Sequence, residues 1–189
     1  YYASWAAAQG YTPDQLPAER FTQINYAFAN IADGRATLGD PARDGENLRN
    51  LTELRRRNPD LNIVLSLGGW DDSAGFSDAA ASPEGRKAFA RSCVDLLLAH
   101  DLDGVDLDWE YPVSGGAPGV VHRPQDKGNF TLLLRELRQA LDRQGRRDGR
   151  QYVLSIAGAV NGGYLNSIEP QAVAETVDHI FLMAYDLHG

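Results

Sequence analysis

The sequence predicts an α/β fold built on a parallel sheet. Apolar extended runs alternate with stretches of helical periodicity, the pattern of repeated βα units. Several of the runs are apolar enough to be buried on both faces, as strands covered by helices must be. Polar and aromatic residues gather where the runs end: Trp5, Tyr26 and Phe28, then Ser66-Leu67-Gly68-Gly69-Trp70, then Glu110-Tyr111, then Met183-Ala184-Tyr185-Asp186. The carboxyl ends of the strands are where a closed barrel of βα units keeps its active site.

Taken in order, strands are expected at Tyr1–Trp5, Gln23–Ile31, Asn62–Leu67, Gly104–Glu110, Tyr152–Ala157 and His179–Tyr185, six in all. Helical patterns fall between them at about Gly45–Asn58, Pro83–His100, Asp126–Gln144 and Pro170–Thr176. In the third, Phe130, Leu133, Leu134, Leu137 and Leu141 recur at helical spacing and belong to the core. Val113–Pro124 is rich in Gly and Pro and Arg143–Arg150 in Arg and Gly. Each joins a strand to a helix or a helix to a strand, so both are expected to be loops within one domain spanning 1–189.

Composition narrows the function classes. The chain has 189 residues, 43% of them apolar, which is enough for a sizeable core. A formal net charge of −8 argues against nucleic acid or an anionic membrane surface as a partner, since either would repel it. The single cysteine, Cys93, allows no intrachain disulfide and reads as core packing. No apolar run approaches the length of a membrane span. The opening Tyr1-Tyr2-Ala3-Ser4-Trp5 lacks the basic region and apolar stretch of a signal peptide.

The most informative stretch is Asp103-Gly104-Val105-Asp106-Leu107-Asp108-Trp109-Glu110. In an extended segment, residues two apart share a face, so Asp106, Asp108 and Glu110 form one row while Val105, Leu107 and Trp109 point the other way. Row neighbours lie roughly 6.5–7 Å apart along the backbone, near enough in a partly dry site for like charges to raise a carboxyl pKa. The expectation is a protonated Glu110 beside ionised aspartates, poised for general-acid chemistry on a glycosidic oxygen. Acids on strands more often lie on a solvated face, but here the intervening residues are all apolar and Tyr111-Pro112 stops the strand at once.

Ser66-x-Gly68-Gly69, Asp103-Gly-x-Asp106-x-Asp108-Trp109-Glu110 and Met183-x-Tyr185-Asp186, in that order, resemble glycoside hydrolase family 18, and within it the chitinases. The resemblance implies a (β/α)8 barrel of TIM type. About six βα units are present in this chain, so a truncated barrel is expected, lacking strands 7 and 8 and completed by a further chain segment. It implies hydrolysis of β-1,4 bonds between N-acetylglucosamine units in chitin or chito-oligosaccharides. Glu110 would be the acid and then the base, and Asp108 would orient the substrate's own 2-acetamido group as it attacks the anomeric carbon. Asp106 would share a proton or hydrogen bond with Asp108, and Tyr185 would donate its hydroxyl to the acetamido group. Asp186 and Met183 would meet the sugar near the cleavage point. Two carboxyls on one strand are poorly placed to flank a sugar, which agrees with a nucleophile supplied by the substrate.

Trp5, Trp70, Tyr2, Tyr111 and Phe28 are candidates for contact with sugar rings. Ser66, Gly68 and Gly69 read as packing, and Trp109 as structural. His179 and His188 show no spacing with Cys, Asp or Glu that suggests a metal, and the family needs no cofactor. Secretion is implied by the family alone. Other readings are a chitin-binding lectin on the same fold, against which an intact Glu110 argues, an endo-β-N-acetylglucosaminidase, and an inactive fragment.

Overall fold

A computed structural model of the chain describes residues 1–187. Its strands are β1 (Tyr2–Ala3), β2 (Gln23–Ala32), β3 (Arg35–Leu38), β4 (Asn62–Gly68), β5 (Gly104–Asp108), β6 (Val153–Ala159) and β7 (His179–Met183). The longer helices are α1 (Pro41–Glu53), α3 (Pro83–His100) and α4 (Asp126–Asp148), and the short ones α2 (Phe76–Ala80), α5 (Gly162–Asn166) and α6 (Pro170–Ala174). Six strands run parallel in the order β1-β2-β4-β5-β6-β7, and β3 pairs antiparallel with β2. The result is a curved half-barrel with helices on its outer face.

The expected parallel strands are all present, four of them cut short at an end, β6 by the single residue Tyr152. β1 keeps only two residues, β5 stops at Asp108 rather than Glu110, and β7 stops at Met183 rather than Tyr185. β3 was not expected. Asp33 and Gly34 both take positive φ, 50° and 69°, and fold the chain back at a two-residue turn. Arg143–Arg150 is not a loop: α4 continues through Asp148 and ends at Gly149 with φ 69°. Arginines favour helix, and Gly145 is tolerated because a Cβ there would collide with the Arg150 carbonyl. α3 begins where Ser82 accepts from Gly85 N–H at 3.0 Å with Pro83 at the first helical position.

The register sorts each strand into two faces. Outward residues Ile24, Tyr26, Ile63, Leu65, Leu67, Val105, Leu107, Leu154 and Ile156 join one buried cluster with Leu48, Leu51, Phe89, Cys93, Leu97, Phe130, Leu133 and Leu137. On the inner face, Ser66, Asp106, Ser155 and His179 stand side by side along neighbouring strands. At the amino end of β5, Asp103 is bracketed by the guanidinium groups of Arg55 and Arg150 and accepts from Ile63 N–H at 2.7 Å. The motif therefore has two unlike acid groups: Asp103 ties the barrel floor, and the row from Asp106 rises toward the opposite end.

Candidate active site

Asp106 is wholly buried, and three hydroxyls converge on it. Oδ2 accepts from Tyr1 at 3.0 Å and Ser66 at 2.7 Å, and Oδ1 from Ser155 at 2.6 Å. Burial raises its pKa and the three hydroxyls pull it back. The Tyr1 phenol is itself pushed far up by burial and by Asp106, so it remains a donor across the working range.

Asp108 stands between two acids. Burial first, then Glu110 and Asp106, push its carboxyl up to about 8. Its Oδ1 is buried and has no hydrogen-bond partner among the described residues. Glu110 is also raised, by burial and by Asp186 and Asp71, but the Tyr111 hydroxyl draws it back. Burial and two neighbouring carboxyls thus favour a proton on Asp108 at neutral pH, where no donor among the described residues holds its charge.

Trp109 faces outward, 1% exposed, stacked on Phe76 at 5.3 Å between centroids and edge-on to Phe130 at 5.5 Å. The two glycines at the end of β4, Gly68 within it and Gly69 just after, let its backbone close over that of β5. Gly69 N–H donates to the Asp108 carbonyl at 2.8 Å. A Cβ on Gly68 would sit 2.6 Å from the Phe76 ring, and one on Gly69 2.7 Å from the Phe28 ring. Ser66 does more than pack, since its hydroxyl is one of the donors to Asp106.

A cavity of about 270 Å³ opens at this end, lined by Trp70, Glu110, Tyr111, Asn161, Met183, Tyr185 and Asp186 among others. A groove of about 660 Å³ between α3 and α4 is larger, but no residue of the acid row lines it. Trp70 and Tyr185 are 52% and 63% exposed at the cavity rim, open to an incoming ring. Tyr111 sits edge-on to Tyr164 at 5.9 Å.

Three expected sugar contacts are placed elsewhere. Tyr2 is a core residue: it stacks on Tyr26 at 6.3 Å and donates to the Tyr11 carbonyl at 2.6 Å. Its neighbour Tyr1 takes the inner face instead, edge-on to Phe181 at 5.8 Å with its hydroxyl on Asp106. A strand of two residues has no alternation by which to choose between them. Phe28 packs its ring beneath Gly69, and Trp5 is half exposed; neither lines the cavity. His179 lies on β7 beside Ser155, and no group of three or more His, Cys, Asp or Glu side chains among the described residues could hold a metal. His188 lies outside the described residues. Tyr1, Ser73 and Ser155 are polar groups of the site that the sequence analysis missed; Ser155 alone had a signal, its place midway along an otherwise apolar strand.

Residues 1–189 match the family described as Glycosyl hydrolases family 18 over their whole length. The chain is 37% identical to chitinase A1 of Niallia circulans, all of this chain aligning to 34% of that protein. It is 35% identical to chitinase B of Serratia marcescens, with 91% of the chain and 36% of that protein covered. It thus spans about a third of these relatives. Among solved structures it superposes on a chitinase from Bacillus thuringiensis with TM-score 0.96 and 33% identity, covering all of this chain and 39% of that one. On a family 18 N-acetylglucosaminidase from Paenibacillus barengoltzii the values are 0.87 and 44%, with all of this chain and 53% of that one covered. A match along every residue, with the acid row on one strand face, places the chain in glycosyl hydrolase family 18.

Proposed function

We propose that this chain carries the acid-base half of a chitinase site, cleaving β-1,4 bonds between N-acetylglucosamine units with retention through an oxazolinium intermediate. The observation that carries the reading is Asp108, a carboxyl raised to about 8 with an unpartnered buried oxygen, set between Asp106 and Glu110. An acetamide N–H offered to that oxygen favours the carboxylate over the acid, because a charged acceptor binds an N–H donor more strongly. Docking of the 2-acetamido group would therefore lower the Asp108 pKa and release its proton to the neighbouring Glu110. Glu110 then protonates the glycosidic oxygen as the carbonyl oxygen of the acetamido group attacks the anomeric carbon. Asp108 steadies the positive charge that develops on the amide nitrogen. Water, deprotonated by Glu110, opens the ring and restores the proton to the row.

Asp106, whose three hydroxyl donors favour its charged form against the burial that raises its pKa, lies next below Asp108 in the row. Tyr185 and Asp186 at the rim meet the sugar on the acceptor face of the acetamido group, and Trp70, Tyr111 and Met183 form the apolar walls. The natural substrate is a neutral polymer, which suits an acidic protein.

The test is hydrolysis of a chromogenic chitobiose glycoside by the chain beside Glu110→Gln. Turnover in the parent that is lost in the variant supports the reading, and equal turnover in both sinks it. A second reading comes from the 44% identity to an N-acetylglucosaminidase: release of single sugars from a chain end. Products of a chito-hexaose digest separate the two, since monomers from the outset mean end-wise release and dimers or longer pieces mean a chitinase.

A further inference from the structure

β5 ends at Asp108, and its ladder with β6 ends one residue earlier, at the pair Leu107 and Ile156. The backbone N–H of Glu110 is thus beyond the reach of the sheet, in a residue that is 8% exposed. A buried N–H without a partner costs about 1–3 kcal/mol, so something must meet it. Ser73 does. Its hydroxyl oxygen accepts from Glu110 N–H at 2.9 Å and lies 2.8 Å from the Gly69 carbonyl and 3.1 Å from the Asp108 carbonyl, to which it donates. Ser73 is wholly buried.

One hydroxyl therefore joins the residue before Trp70, the carbonyl of Asp108 and the amide of Glu110. Gly69 N–H on the Asp108 carbonyl closes the same joint from the other side. The loop that carries Trp70 and the chain that carries the acid are one body at this point.

We propose that Ser73 is a positioning residue for catalysis, setting the backbone of Glu110 against the Trp70 loop so that the acid and the aromatic rim hold a fixed separation. The proposal rests on the chitinase reading only for its kinetic readout. Its physical content is that without this hydroxyl Glu110 swings away from the place where its proton is delivered, and water enters behind it. The groups facing the Glu110 carboxyl are Asp108 at the end of β5, Tyr111 after it, Tyr185 and Asp186 beyond β7, and Asp71 in the Trp70 loop. With better hydration its pKa falls, since burial is the largest cause of its elevation.

The experiment compares Ser73→Ala, Ser73→Thr and Ser92→Ala with the parent chain. Ser92 is a matched control: its buried hydroxyl also accepts a backbone N–H, that of Ala36 at 2.8 Å, and donates to the Phe89 carbonyl at 2.7 Å, far from the acids. Ser73→Ala should lower kcat on a chito-oligosaccharide about tenfold to a hundredfold with KM changed less than threefold, as expected of a misplaced acid. Its alkaline pH limb should move to lower pH. Ser92→Ala should lose similar stability and keep kcat, and Ser73→Thr should recover most of the rate. In parallel, the Glu110 carboxyl is titrated by carbon NMR, which needs no turnover. A parent without activity would overturn the chitinase reading, and the NMR titration would still decide the role of Ser73. An unchanged Glu110 pKa in Ser73→Ala, or equal kcat losses in Ser73→Ala and Ser92→Ala, would overturn the proposal.

Discussion

Tyr1 and Asp106 lie 105 positions apart in sequence and meet at 3.0 Å, phenol to carboxylate, across the inner face of the half-barrel. The residue just before β1 thereby reaches a carboxyl on β5. Removing that donor leaves Ser66 and Ser155 as the only two hydroxyls on Asp106 among the described residues.

Tyr1→Phe should raise the Asp106 pKa further, because a hydroxyl on its charged form is lost while burial stays. Asp106 then takes up a proton at higher pH, and the acid limb of the kcat profile moves up. Hydrogen bonds to charged groups contribute about 1.5–3 kcal/mol, so kcat at neutral pH should drop at least about tenfold. The ring keeps its edge contact with Phe181, so the fall in the thermal midpoint should be limited to the few degrees that one lost hydrogen bond accounts for. An unaltered acid limb would mean that Tyr1 is a spectator.

Asp108 should oppose folding at neutral pH. Its folded pKa, about 8, lies above the ordinary value of 3.8, so the folded chain binds more protons than the unfolded one between those limits. Its contribution is most favourable below pH 4, is lost as pH rises toward 8, and is flat beyond. Asp108→Asn should therefore stabilise the chain at pH 8 by about 1–3 kcal/mol, after allowance for coupling within the row, with no gain at pH 4. Denaturant midpoints at the two pH values measure this. The same variant should lose nearly all turnover, as expected where a strained site trades stability for activity.

Gly68→Ala meets three obstacles at once: φ is +97°, and the added carbon lies 2.4 Å from the Asp108 carbonyl oxygen and 2.6 Å from the Phe76 ring. A loss of about 2–4 kcal/mol is expected in urea unfolding. A change under about 0.5 kcal/mol would show that β4 and β5 can separate without consequence.

Asp103→Ala should leave two guanidinium groups and the Ile63 N–H without their shared acceptor. Arg55 and Arg150 are partly hydrated, with side chains 21% and 33% exposed, which moderates the cost to about 2–4 kcal/mol. Asp103→Asn, which keeps an acceptor for Ile63 N–H, should lose less. If the two variants were equally stable, charge would be the whole of the interaction.

The acid row was legible because a period of two forces Asp106, Asp108 and Glu110 onto one face whatever else the chain does. The long helices were legible for the same kind of reason, and α3 has the limits its Ser82-Pro83 start and left-handed Asp101 impose. What escaped lacked a period. Tyr1 and Tyr2 differ by one position at the start of a strand of only two residues, Tyr2–Ala3, and Ser73 lies between β4 and α2, where a single hydroxyl has no sequence signature. The hairpin of β2 and β3 is different: Asp33-Gly34 is a strong turn signal that could have been read. The unequal hydrogen bonding of the row was illegible too, since hydroxyls reach Asp106 from other strands while Asp108 Oδ1 has no partner among the described residues.

The alternation in β5 also governs assembly. With Asp106 and Asp108 on one side and Val105, Leu107 and Trp109 on the other, a slip of one residue against β4 would drive carboxylates among the leucines and phenylalanines and turn an indole toward the cleft. A one-residue slip therefore lies well above the native pairing in free energy. The residues proposed for chemistry thus act as a proofreading device, admitting to the folded population only chains in which the acids already face the cleft.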